Sequence, residues 1–156
     1  MRKQVKQRLE RRRPAAGRNQ PAGKTSSLPI FLRLSCVLTG EKTLEVDLAK
    51  AYFDRARQHL GAKLDALLVR FDDLLAKGRD PVDAVGKEIL PSPEHGPSAR
   101  LVLLLWYIGG VQTPDGDWEM QSADQYYRAL VWKAIGAHPP TLSNGYFGHW
   151  KYPPET

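Results

Sequence analysis

From Ser27 to Ile135 apolar residues recur at spacings of three and four, and most of these runs stop at a glycine or a proline. That rhythm places the apolar side chains on one face of a helix. Ser27 can cap a first helix, with Pro29 in its opening turn, Ile30, Phe31, Leu34, Val37 and Leu38 inward, and Gly40 as its stop. Asp47 can cap a second, carrying Leu48, Ala51, Tyr52, Ala56 and Leu60 inward as far as Gly61. A third runs from about Ala62 through Leu64, Leu67, Leu68, Phe71 and Leu74 to Gly78, so the pair reads as an αα-hairpin. Asp80-Pro81 opens a shorter helix through Val82, Val85 and Ile89, which ends before the proline-rich stretch 91–97. Leu101 to Ile108 is apolar on every side, the pattern of a helix central to the core or covered by a partner, and Gly109-Gly110 ends it. After a turn at Pro114, Asp115 and Gly116, one last helix is expected from Ser122 or Asp124 through Tyr126, Tyr127, Leu130, Val131 and Ile135. Alternating β-branched runs are missing, so the expected class is all-α: about six helices in one compact domain over 28–137.

The two ends read differently. Residues 1–27 hold nine of the 23 Lys and Arg and one of the 17 acids, leaving 14 basic and 16 acidic residues for a nearly neutral body. With Pro14, Pro21, Gly17 and Gly23 and almost no aliphatic side chains, this stretch cannot offset its ordering entropy by burial and is expected to be a disordered basic tail. Arg11, Arg12 and Arg13 are the candidate targeting residues in it, although the polar stretch from Pro14 to Ser27 stands where a signal peptide keeps its apolar core. At the other end, 138–156 carries four prolines and the aromatics Tyr146, Phe147, Trp150 and Tyr152 with no helical or strand period. Such a segment is extended, and its rings call for a cover on the domain or on a partner.

Chemistry is sparse. Neither a Walker-type phosphate loop nor a G-x-G-x-x-G pattern occurs, so no cofactor is expected on this chain. The four histidines are dispersed, Asp115-Gly116-Asp117 lacks the further acids of a calcium loop, and the single Cys36 sits in an apolar run, so no metal site and no catalytic residue is expected. No apolar stretch reaches the 18 or so residues that span a bilayer, so no transmembrane segment is expected. A small helical nucleic-acid-binding or regulatory protein using the basic tail is the alternative reading. The tail has no aromatic residue to stack a base and the body continues no basic face, so nucleic acid is not the expected partner.

Four short motifs in order narrow the choice: Phe31-Leu-Arg-Leu-Ser-Cys-Val-Leu-Thr-Gly40, Trp106-Tyr-Ile-Gly109, Tyr126-Tyr-Arg-Ala-Leu-Val-Trp132, and Gly145-Tyr-Phe-Gly-His-Trp150 with Pro153. Together they make the chain, over about 28–154, resemble the small subunit of bacterial membrane-bound FAD-dependent sugar and polyol dehydrogenases, the sorbitol, fructose and glucose dehydrogenase complexes. The resemblance implies a non-catalytic helical partner of a large subunit of the glucose-methanol-choline oxidoreductase type. That large subunit holds the FAD and is often joined by a cytochrome c subunit. It further implies a chaperone role in folding the large subunit, export through a twin-arginine signal, and a periplasmic place at the inner membrane. Three departures stand beside it: no apolar signal helix follows the arginines, the C-terminal segment has no cysteine to bond to a large subunit, and Val131 stands where methionine is common. Trp106, Tyr107, Trp132, Tyr146 and Trp150 are the expected partner-facing residues, because aromatic side chains dominate interface energetics. Filling the core is the competing role for Trp106 and Trp132.

Overall fold

Ser27–Thr39 forms helix α1 in the computed structural model, which describes residues 27–113 and 115–139 of the chain. The expected basic tail and most of the aromatic C-terminal segment, with Arg11, Arg12, Arg13, Tyr146 and Trp150, lie outside the described residues. Phe31, Leu34 and Ser35 on α1 are buried, and α1 packs on α2 (Val46–Leu60), α3 (Ala62–Ala76) and α5 (Gly96–Ile108). The three-and-four spacing of the sequence thus becomes one core that includes Phe31, Tyr52, Phe53, Leu64, Leu67, Phe71, Val102, Leu105 and Trp106. Each large apolar side chain taken fully out of water contributes about 1.5 to 3 kcal/mol. Edge-to-face rings lock the centre: Phe31 on Phe53 at 5.3 Å and Tyr52 on Trp106 at 4.9 Å.

The helix stops fall where glycine and proline set them. Asp80 caps the short α4 (Pro81–Asp83), its Oδ1 accepting from the backbone N–H of Val82 and of Asp83. The chain then widens into a π-helical turn, Ala84–Ile89, which buries Ala84, Val85 and Ile89. This turn packs on α3, and Arg70 and Arg79 reach Glu88 at 2.9 and 3.3 Å. Its end presses on the start of α5: a Cβ at Gly96 would stand 2.5 Å from the Leu90 carbonyl oxygen.

The all-α class holds, and three details refine it. Between α5 and the last helices lies a small antiparallel hairpin, β1 (Gly110–Gln112) and β2 (Trp118–Met120), paired Gly110 to Met120, Val111 to Glu119 and Gln112 to Trp118. Three residues are too few to show a period of two, so hydrophobic periodicity could not separate these strands from loop. The turn between them is held by Gly116 N–H donating to the Thr113 carbonyl and by Thr113 N–H donating to that of Asp117. The single last helix expected from Ser122 is two short ones, α6 (Ala123–Tyr127) and α7 (Leu130–Ala134), parted at Ala129 in extended backbone. The break buries Ala129, and the Tyr126 carbonyl accepts both from Ala129 N–H at 3.2 Å and from Trp132 Nε1 at 2.7 Å. Finally, Glu45, not Asp47, occupies the cap position of α2 and makes no side-chain cap bond.

Asp47 has another task. Arg128, in the break between α6 and α7, donates to Glu45, to Asp124 at 3.0 Å and to Asp47 at 2.9 Å, tying the last helices to the start of α2. The Arg128 hydrogen bond holds the Asp47 carboxyl below the usual carboxylate range. A lowered folded-state pKa means the stabilisation is present above the ordinary carboxylate value and is lost as pH falls through the lowered one. Arg128→Met is therefore expected to lower Tm by a few degrees at neutral pH, the scale of a small exposed network. The difference from wild type should shrink as pH falls below the ordinary carboxylate range in thermal melts followed by circular dichroism.

Candidate functional site

Of the five aromatic residues expected to face a partner, three are described. Trp106 is 2 % exposed and fills the core against Tyr52, the competing role its sequence position left open. Its indole Nε1 is buried with no acceptor among the described residues. Tyr107 and Trp132 are half-buried on α5 and α7, which pack together. Tyr107 Oη donates to the Thr39 carbonyl at 3.4 Å, and Lys133, next to Trp132, bridges Glu41 at 2.8 Å. Both rings therefore stand at the end of the bundle where α1 finishes, with Trp132 set edge-on against Tyr126 at 5.1 Å.

A second surface was not legible in the sequence. Trp118 and Met120 on β2 are 48 % and 39 % exposed, among the most exposed large apolar side chains described. Residues two apart on a strand share a face, so Glu119 points the other way, and there it meets Arg55 of α2 at 2.6 Å. The Arg55 guanidinium holds the Glu119 carboxyl below the usual range. Beneath the hairpin Val111 is buried, and Met120 covers Gly110 so closely that a Cβ there would stand 2.7 Å from the sulfur. The hairpin is thus anchored on one side and presents its tryptophan on the other. Only the turn residues around Pro114-Asp-Gly hinted at a hairpin here.

Beside β2 lies a cleft of about 170 Å³ lined by Ala51, Asp54, Arg55 and Gln58 of α2 and by Gln121 and Gln125. This is below the roughly 300 to 1,000 Å³ of small-molecule sites. The lining offers side chains from the middle of a helix where a dinucleotide needs a glycine-rich turn at a helix start, so the cleft does not fit FAD. No group of three or more His, Cys, Asp or Glu among the described residues is placed to hold a metal ion. Burial, and after it the nearby Glu41, push the Cys36 thiol up, which disfavours the reactive thiolate. No helix among the described residues is long and apolar enough to cross a membrane.

The described residues thus set aromatic rings at one end of the bundle and an apolar strand face beside a small polar cleft. Among curated proteins none matches the chain. A protein-family model does, described as membrane bound FAD containing D-sorbitol dehydrogenase, and it aligns with residues 5–154, nearly the whole chain. The helical architecture agrees with the four motifs that first suggested the resemblance, three of which fall in the described α1, α5 and α6–α7. The chain belongs to the small-subunit family of membrane-bound FAD-containing D-sorbitol dehydrogenases, and is a subunit of an FAD-dependent dehydrogenase complex.

Proposed function

We propose that this chain is the non-catalytic small subunit that binds a large flavoprotein subunit of the glucose-methanol-choline type and supports its folding and assembly. The observation that carries the reading is the family match across residues 5–154. It is supported by the placement of Tyr107 and Trp132, large half-exposed rings fixed at one end of the bundle by hydrogen bonds from their polar atoms. Tyr146 and Trp150 extend the proposed interface from the C-terminal segment. Trp106 acts on it only from within, by holding α5 in place.

The FAD and the sugar or polyol site belong, in this reading, to the large subunit, and a cytochrome c subunit receives the electrons. Export by the twin-arginine route, with Arg11, Arg12 and Arg13 as the targeting residues, would place the complex on the periplasmic side of the inner membrane. The test is co-expression of the FAD-containing large subunit with and without this chain. The expected result is a loss of at least tenfold in soluble, flavin-loaded large subunit when this chain is omitted. Equal yield in both would contradict the assembly role.

A further inference from the structure

Two residues that line the cleft beside β2 carry buried polar atoms with no partner among the described residues. Gln125 is 9 % exposed, and its Oε1 is buried with no hydrogen-bond donor among the described residues. Across the lining, the Arg55 side chain is 11 % exposed, and its Nε is buried with no acceptor among them. An orphaned buried polar group is costly to a fold, and each one in a native structure calls for an explanation. The Gln125 main chain and the Arg55 side chain are held in place. Gln125 N–H donates to Ser122 Oγ at 3.1 Å, the Gln125 carbonyl lies against Gly109, and Arg55 is pinned by Glu119.

We propose that the face formed by β2, Gln121, Gln125 and the outer side of α2 is a docking surface for the FAD-containing subunit, with the cleft receiving a carboxamide side chain, Asn or Gln, of that subunit. The inference rests on the assembly reading and extends it to a surface that reading does not use. The occupant follows from the charges and the size. Glu119 already neutralises Arg55, and Asp54 lines the same cleft, so an anion gains nothing there. A carboxamide carries an acceptor for Arg55 Nε–H and a donor for Gln125 Oε1, and because it offers both it still matches if the Gln125 amide is turned end for end. The terminal torsion of Gln125 is soft, so a small rotation presents its amide to the entering group. A cleft of about 170 Å³ is sized for a side chain. Trp118 and Met120, exposed on the strand that leads directly into Gln121, give the contact its apolar anchor.

The experiment measures the affinity of the full chain for the FAD-containing large subunit of its complex, together with the Tm of the full chain alone. Trp118→Ala is expected to weaken binding about thirtyfold with the free-chain Tm unchanged, since the ring is half in water. Gln125→Met is expected to weaken binding about three- to tenfold while the free-chain Tm holds or rises, because methionine removes the orphaned oxygen at similar volume. That opposition of sign separates docking from a structural role, which would lower Tm and binding together. Val69→Ala, at an exposed valine on α3, is the control and should bind as wild type. Binding of Trp118→Ala and Gln125→Met within twofold of wild type overturns the docking surface and leaves the assembly reading intact. A wild-type chain that does not bind the flavoprotein overturns both.

Discussion

Trp106→Ala is expected to cost the isolated chain about 3 to 5 kcal/mol in urea denaturation, the range for emptying a large aromatic site in a core. Trp106 is among the largest fully buried side chains of the fold and joins α5 to α2 through the edge-to-face contact with Tyr52. Against a total stability of about 5 to 15 kcal/mol for a small domain, that loss is a large fraction of the whole. Trp106→Phe should cost far less, about 1 to 2 kcal/mol, because the smaller ring keeps the contact with Tyr52 and removes an indole N–H that has no acceptor among the described residues. If Trp106→Ala instead kept its urea midpoint and lost only partner binding, the side chain would belong to the interface and the core assignment would be wrong.

Gly109→Ala is the second large effect. Gly109 ends α5 at φ +74°, in the left-handed region that costs a side-chain-bearing residue about 1 to 2 kcal/mol. Gly78 ends α3 at φ +76° with open space around it, so Gly78→Ala should cost only that backbone penalty. At Gly109 the added Cβ would also stand 2.8 Å from the Gln125 carbonyl oxygen and 2.9 Å from its carbon, both backbone atoms that cannot swing aside. The expected cost is therefore at least about 3 kcal/mol, clearly above that of Gly78→Ala. Since Gln125 is the group displaced, the same change should weaken partner binding beyond what the loss of fold explains. Equal losses at Gly78 and Gly109 would show that α6 does not press on the end of α5.

These two residues also show what the sequence could and could not disclose. The stop at Gly109 is legible because a glycine after an apolar run is a common helix end; that a second backbone lies on top of it is a long-range fact with no local signature. The four long helices were readable from the spacing of their apolar residues, and the Asp80 cap from Asp-Pro at the start of a run. The last part of the domain was not. Tyr126, Tyr127, Leu130 and Val131 keep helical spacing through a break that exists because Arg128 is drawn to acids 81 and 83 residues away and Trp132 folds back on Tyr126. Local periodicity cannot register such pulls.

Of the expected partner-facing residues, the structure gives the positions of three. An aromatic C-terminal segment on a chain without clustered catalytic groups led the sequence reading to binding, and Tyr107 and Trp132 stand half-buried at one end of the bundle. Trp106 and Trp118 reverse the intuition that a tryptophan in a motif faces the partner. The one inside a family motif is buried, and the one outside every motif is exposed. The difference lies in the hairpin: Glu119 turned toward Arg55 fixes which face of β2 looks outward, and the alternation then exposes Trp118.

The central claim is that this chain works by holding a flavoprotein. It is tested most directly by native mass spectrometry of the two chains after co-expression and purification through a tag on this one. The account predicts a complex containing both chains, with FAD mass and flavin absorbance that stay with the large subunit when the chains are separated. A chain that emerges alone, or one that retains the flavin after separation, would contradict it.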